Sequence, residues 1–326
     1  MKRSLALLPA LLVACTSTGD PLLTEPAPEL EAREQALREA EAQRRDFQAV
    51  LVRLDQSIDS YVKALSNQGE PRADRQIDRL EKSIRETVLD LGTVVYGSDT
   101  ATEPRGDNYT RLQAAAVDGS RPDEQAIALS ALGFSGQRDM MPLILQGAQL
   151  DDPFRIDRAV LGLAVLKAPS TPPGVLAAIA ERSTHPDDGR VQAAWALYEI
   201  QQANQDQGPF VAIWRRWLGE RRDDLPLGVL VSAIRGLGYA RDAADAALVA
   251  SFLKHPTPRL RMAAAIALAR MNAQQYAGEL IELLKPAETV QNVRLHARKA
   301  LADLAGGQDH GYDVSAWRKV FDRGSR

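Results

Sequence analysis

The side chains that could do chemistry are few, and their spacing argues against a catalytic centre. The chain has one cysteine, Cys15, and four histidines. One cysteine excludes an internal disulfide framework and any multi-cysteine metal site. His185 and His255 each precede a proline, at His185-Pro186 and His255-Pro256. A cation is favoured near a helix C-terminus, so capping is the plain expectation for both. His296 falls within a helical pattern. His310 sits in the run GGQDHGYD beside Asp309 and Asp313 and could serve as a ligand or base. The pairs Asp151-Asp152, Asp187-Asp188 and Asp223-Asp224 resemble the carboxylates of acid–base work. Each lies where a helix should begin, however, and Asp is a favoured N-cap. There is no Gly-rich phosphate loop and no Gly-x-Ser-x-Gly elbow. No catalytic residue, metal or cofactor is expected.

The cysteine has a different chemistry available. Residues 1–15 read MKRSLALLPALLVAC, with Lys2 and Arg3 ahead of an apolar run too short to span a bilayer. The ending Leu12-Val13-Ala14-Cys15 resembles a bacterial lipobox. The resemblance implies a signal peptide over 1–14 and a thioether-linked lipid on Cys15. Several acyl chains give firm anchoring, where one chain binds only marginally. Thr16, in place of the Asp of the enteric inner-membrane sorting rule, implies the outer membrane, facing the periplasm. An ordinary buried cysteine or a plain secretory signal is the blander reading. Residues 15–28, rich in Ser, Thr, Gly and Pro, read as a flexible tether.

The remaining composition favours closely packed helices. Of 326 residues, 45% are hydrophobic but only 5% aromatic, so Ala carries much of the apolar fraction. The formal charge is −3. Neither sign dominates, which gives no general case for nucleic acid.

Glu29 to about Ser66 reads as one long helix. Leu30, Leu37, Leu51, Ile58 and Leu65 hold a seven-residue register with Arg44 as its polar member, and Ala40, Phe47, Leu54 and Tyr61 follow three positions after. This is an a/d seam. Asn67-Gln68-Gly69-Glu70-Pro71 breaks it, and a second helix is expected over 72–96 through Ile77, Leu80, Ile84, Leu91 and Val94. The pair reads as a coiled-coil hairpin over 29–96. Its longer first helix could pack on the rest of the chain, on another protein, or on a second copy through 29–66. A linker with a short helix is expected over 97–118.

From 119 to 326 six units align on a small residue, a second small residue three later, then Leu. The leucines are Leu132, Leu163, Leu197, Leu237, Leu268 and Leu301. Small residues three apart share a helix face and let a neighbouring helix approach closely. A second apolar helix follows each time. Pro122, Pro153, Pro186, Pro226 and Pro258 open the first five units. A spacing of 31 to 40 residues between leucines marks a helix-pair solenoid. This array resembles the HEAT-repeat superfamily. The resemblance implies an all-α, right-handed solenoid of about six HEAT-like helix pairs, with the second helices lining a concave, partner-binding side. It includes deoxyhypusine hydroxylase, but no histidine here is followed by Glu, as its di-iron centre needs. Bilin lyases of the same type are relatives by fold.

Within the array, Trp195, Trp214 and Trp217 gather in the third unit, with Arg215 and Arg216 between the last two. Core packing is the plain reading, and an exposed aromatic-basic hot spot formed by Trp214, Arg215, Arg216 and Trp217 is the sharper one. The insertion QQANQDQGP lies between the helices of that unit. The chain thus reads as a membrane-anchored, non-enzymatic scaffold or adaptor for an envelope protein. A structural oligomer built through the coiled coil is one alternative. A HEAT-like enzyme or lyase subunit is the other.

Overall fold

A computed structural model describes residues 28–67, 70–90 and 107–323. The leader, Cys15 and nearly all of the tether lie outside these residues, as do Leu91, Val94 and most of the expected linker. All regular elements among the described residues are helical. None is long and apolar enough to cross a membrane. The chain divides into two units, residues 1–48 and 49–326.

Helix α1 (Pro28–Leu65) continues through that division. In the first unit Leu30 and Leu37 of its seam are 55% and 57% exposed. In the second unit the same seam is covered, and Leu51, Leu54, Ile58, Tyr61 and Ala64 are buried. Helix α2 (Pro71–Val88) buries Ala73, Ile77, Ile84 and Val88. It stops well before the expected Tyr96. The Leu89 N–H bonds back to Arg85, and Asp90 takes a left-handed φ of 49°, which ends the helix. Helix α3 (Asp107–Val117) precedes the array.

The six units are six helix pairs. The first helices are α4 (Pro122–Gly133), α6 (Pro153–Leu166), α8 (Asp187–Gln202), α10 (Leu227–Ala240), α12 (Pro258–Arg270) and α14 (Gln291–Leu304). The second helices are α5 (Met141–Gly147), α7 (Pro173–Glu181), α9 (Gly208–Gly219), α11 (Ala246–Ala250), α13 (Ala277–Glu282) and α15 (Val314–Arg323). Short 3-10 turns precede α5, α11 and α13. Pro122, Pro153 and Pro258 hold the first helical position, where a missing N–H costs nothing. Pro186 and Pro226 instead sit one residue earlier, as N-caps.

The aligned small residues and leucines are buried in every pair. Gly133 and Gly162 show why some must be small. A Cβ on Gly133 would lie 2.2 Å from the Gly162 carbonyl oxygen. A Cβ on Gly238 would lie 2.7 Å from Ala267 Cα. Consecutive first helices therefore touch almost backbone to backbone and pack along their length, whereas consecutive second helices touch sparsely. The first helices thus form the more closely packed rail of the array.

A polar residue seven before the Leu secures four of the junctions. Gln125 donates to the Ala116 carbonyl at 2.9 Å and Arg190 to Ala180 at 2.9 Å. Arg261 donates to His255 at 2.7 Å and Arg294 to Leu284 at 3.2 Å. Each acceptor lies at or just beyond the end of the preceding helix, where a carbonyl has no intrahelical partner.

Candidate interaction surface

Two residues either side of each rung's Leu turn about 200° away from it, onto the face opposite the pair's core. The residues two before are Ser130, Leu161, Trp195, Arg235, Ile266 and Lys299. The residues two after are Phe134, Val165, Glu199, Tyr239, Arg270 and Asp303. These rows form the inner face, that is, the face of the first helices turned away from their own second helices.

The helical hairpin covers that face over the first two rungs. Arg158 of α6 donates to Asp55 at 2.7 Å and to Asp59 at 3.0 Å, both on α1. The Tyr61 ring meets Phe134 edge-on at 5.0 Å. Its hydroxyl donates to Glu81 of α2 at 2.8 Å. Burial, then the Glu81 carboxylate, pushes that phenol well above its usual range, so it stays a donor. Arg85 of α2 donates to the Phe134 carbonyl at 3.1 Å. Ser130, Phe134 and Leu161 are accordingly buried. Glu199 is buried too, in an ion pair with Lys167 at 2.7 Å.

Beyond Glu199 the face opens. Trp195, Tyr198, Tyr239 and Ile266 are half-buried, and Arg235, Arg270 and Lys299 are exposed. Three rungs are joined there. Tyr198 and Tyr239 meet edge-on at 6.5 Å, Tyr239 donates to the Gln202 carbonyl at 3.1 Å, and Arg270 donates to the Tyr198 hydroxyl at 3.3 Å. Tyr, Trp and Arg are the residue types that carry most binding energy at protein interfaces. Exposed Asp303 ends the stripe. Of these residues only Trp195 stood out in the sequence. The available signal was the row two before each Leu, a position where the rungs differ widely in chemistry.

The expected hot spot is not a surface. Trp214 and Trp217 are both fully buried. Trp214 Nε1 donates to Gln201 Oε1 at 2.9 Å and Trp217 Nε1 to Glu181 Oε1 at 2.6 Å. Arg215 reaches the next pair, binding Asp245 at 2.6 Å and Asp242 at 2.7 Å, while Arg216 pairs with Glu181 of the previous one. Helix α9 thus stitches three rungs together. The insertion does the same: Gln201 donates to the Gly236 carbonyl at 3.0 Å and Asn204 to Pro169 at 2.8 Å.

The other candidates are structural struts. His185 is buried and shares a hydrogen bond with Asp157 at 2.8 Å, joining two rungs where a cap was expected. Burial raises the Asp157 carboxyl, and the bond to His185 partly offsets this. Among the acidic pairs only Asp152 is an N-cap, accepting from the Arg155 N–H at 2.8 Å. Asp187 pairs with Arg190 and Asp224 with Arg221. His310 packs edge-on against Trp317 at 4.9 Å, while Asp309 is held by Arg298 and Asp313 accepts from Ser315 at the start of α15. His296 shares a hydrogen bond with the Asn292 carbonyl at 2.7 Å, one turn back on α14. Among the described residues, no three His, Cys, Asp or Glu side chains gather as metal ligands.

His255 gives a pH prediction. Its Nδ1 accepts from the Thr257 N–H at 3.1 Å, and burial together with Arg222 and Arg261 lowers its pKa. A folded-state pKa below the unfolded value means the neutral imidazole is the favoured form in the fold. Its contribution is present above about pH 6.5 and is lost as pH falls through the depressed pKa. The His255 ring resonances should titrate below about pH 6.5, the ordinary value for an imidazole. A midpoint at or above 6.5 would refute the depression.

No family model matches the chain, and no curated protein matches it. Among solved structures it is similar to one described as the complex of CpcE and CpcF of phycocyanin lyase from Nostoc sp. PCC7120. The identity is 17%, over 80% of this chain and 92% of that one, with a TM-score of 0.36.

Proposed function

We propose that the chain is a lipid-anchored HEAT-repeat scaffold of the bacterial cell envelope, non-enzymatic, that holds a protein partner near the membrane. The observation that carries this reading is the open aromatic and basic stripe over α8, α10 and α12, on a rigid rail of closely packed helices. Anchoring through a lipid on Cys15, on the periplasmic side of the outer membrane, confines chain and partner to one surface and raises their effective concentration.

The test has two arms. With a photo-crosslinker at Ile266, on the inner face, a second protein should be trapped; at Glu282, on a second helix, it should not. Equal yields from both positions, or none from Ile266, would sink the scaffold reading. Cys15→Ser should move the chain from the membrane fraction to the soluble one, and retention in the membrane would sink the anchor. A structural oligomer is favoured by a separate observation, the bare Leu30 and Leu37 of α1.

A further inference from the structure

The bare half of α1 and the open half of the inner face match one another. The covered half of α1 displays the mode of docking. Its leucine seam lies buried while Asp55, four residues after Leu51, pairs with Arg158 on the inner face. The same heptad position in the bare half holds Glu34, four after Leu30, and Glu41, four after Leu37. The open stripe supplies exposed Arg235 and Arg270, at other rung positions than Arg158, which lies five before Leu163. Residues 29–48 carry six acidic side chains against four arginines. A helix of that length spans about 30 Å, enough to cross the rungs from α8 to α12. Leucines left exposed on a seam that is buried further along the same helix call for cover.

We propose that residues 28–48 of one copy dock across the inner face of α8, α10 and α12 of a second copy, leucines inward and Glu34 and Glu41 against Arg235 and Arg270. The inference rests on the inner face being a docking surface, as the scaffold reading holds. A reciprocal exchange of this kind closes as a two-fold dimer.

Sedimentation equilibrium of the purified chain tests it. Wild type should self-associate reversibly. Leu30→Glu with Leu37→Glu should weaken association by about tenfold or more, and so should Arg235→Glu with Arg270→Glu. Circular dichroism should show unchanged helicity in both. Mixing the two variants should restore heterodimer, because one keeps an intact helix and the other an intact face. If α1 instead pairs with α1 of its neighbour, the arginine variant will associate like wild type and mixing will restore nothing, which overturns the proposal. A chain that stays monomeric overturns it too. In either of those cases, a different protein trapped from Ile266 would leave the scaffold reading standing, whereas an empty crosslink there would remove both.

Discussion

Trp214→Ala is expected to lower the unfolding free energy by about 3–5 kcal/mol, the range for deleting a large buried aromatic side chain. Three observations place it at the top of that range. The indole is fully buried, its N–H is tied to Gln201 at 2.9 Å, and its ring meets Trp217 edge-on at 5.1 Å. Removing it also leaves Gln201 Oε1 without its donor in the interior, a penalty of about 1–3 kcal/mol by itself. Gly236 cannot fill the space, since it has no side chain and its Cβ position lies 2.3 Å from the indole nitrogen. Trp214→Phe keeps much of the ring and loses the donor, so it should fall between wild type and alanine. Arg216→Ala, at a side chain 44% exposed, should cost no more than about 1 kcal/mol. The midpoint and slope of urea unfolding read all three. A Trp214→Ala cost as small as that of Arg216→Ala would return the pair Trp214 and Trp217 to the surface.

That contrast also shows what the sequence could and could not carry. The spacing of small residues and Leu made six helix pairs legible, because close helix contact demands a small residue at fixed intervals. Core packing was the plain reading of Trp214 and Trp217, but what holds them was not legible, because their polar partners Gln201 and Glu181 come from elsewhere in the chain and meet them only in the fold. The α1 seam was legible as a seam, but an a/d register reads the same with or without a partner. Nothing in it marks the change from bare Leu37 to buried Leu51. Which rail packs more tightly was not legible for a related reason: it depends on backbone contacts such as Gly133 against Gly162, and the aligned skeleton does not weigh one helix of a pair against the other.

Gly133→Ala is the sharper test of that rail. In an ordinary helix interior this change stabilises by about 0.5–1 kcal/mol, because alanine has less freedom to lose on folding. Gly174 in α7 and Gly278 in α13 have nothing within 4 Å of a built Cβ, so alanine at either should be neutral or slightly stabilising. At Gly133 the same methyl would stand 2.2 Å from the Gly162 oxygen and 2.5 Å from its Cα. These are backbone atoms and cannot rotate away. Helices α4 and α6 must part, and overpacking of this kind costs about 1–3 kcal/mol, enough to outweigh the gain in propensity. Parting them also disturbs the hairpin above, because α2 is held by Phe134 of the α4 end and α1 by Arg158 of α6. Gly133→Ala should therefore lower the urea midpoint and speed proteolysis of the hairpin together, with both unchanged in Gly174→Ala and Gly278→Ala. A Gly133→Ala chain as stable as those two would mean that the first helices are not in backbone contact.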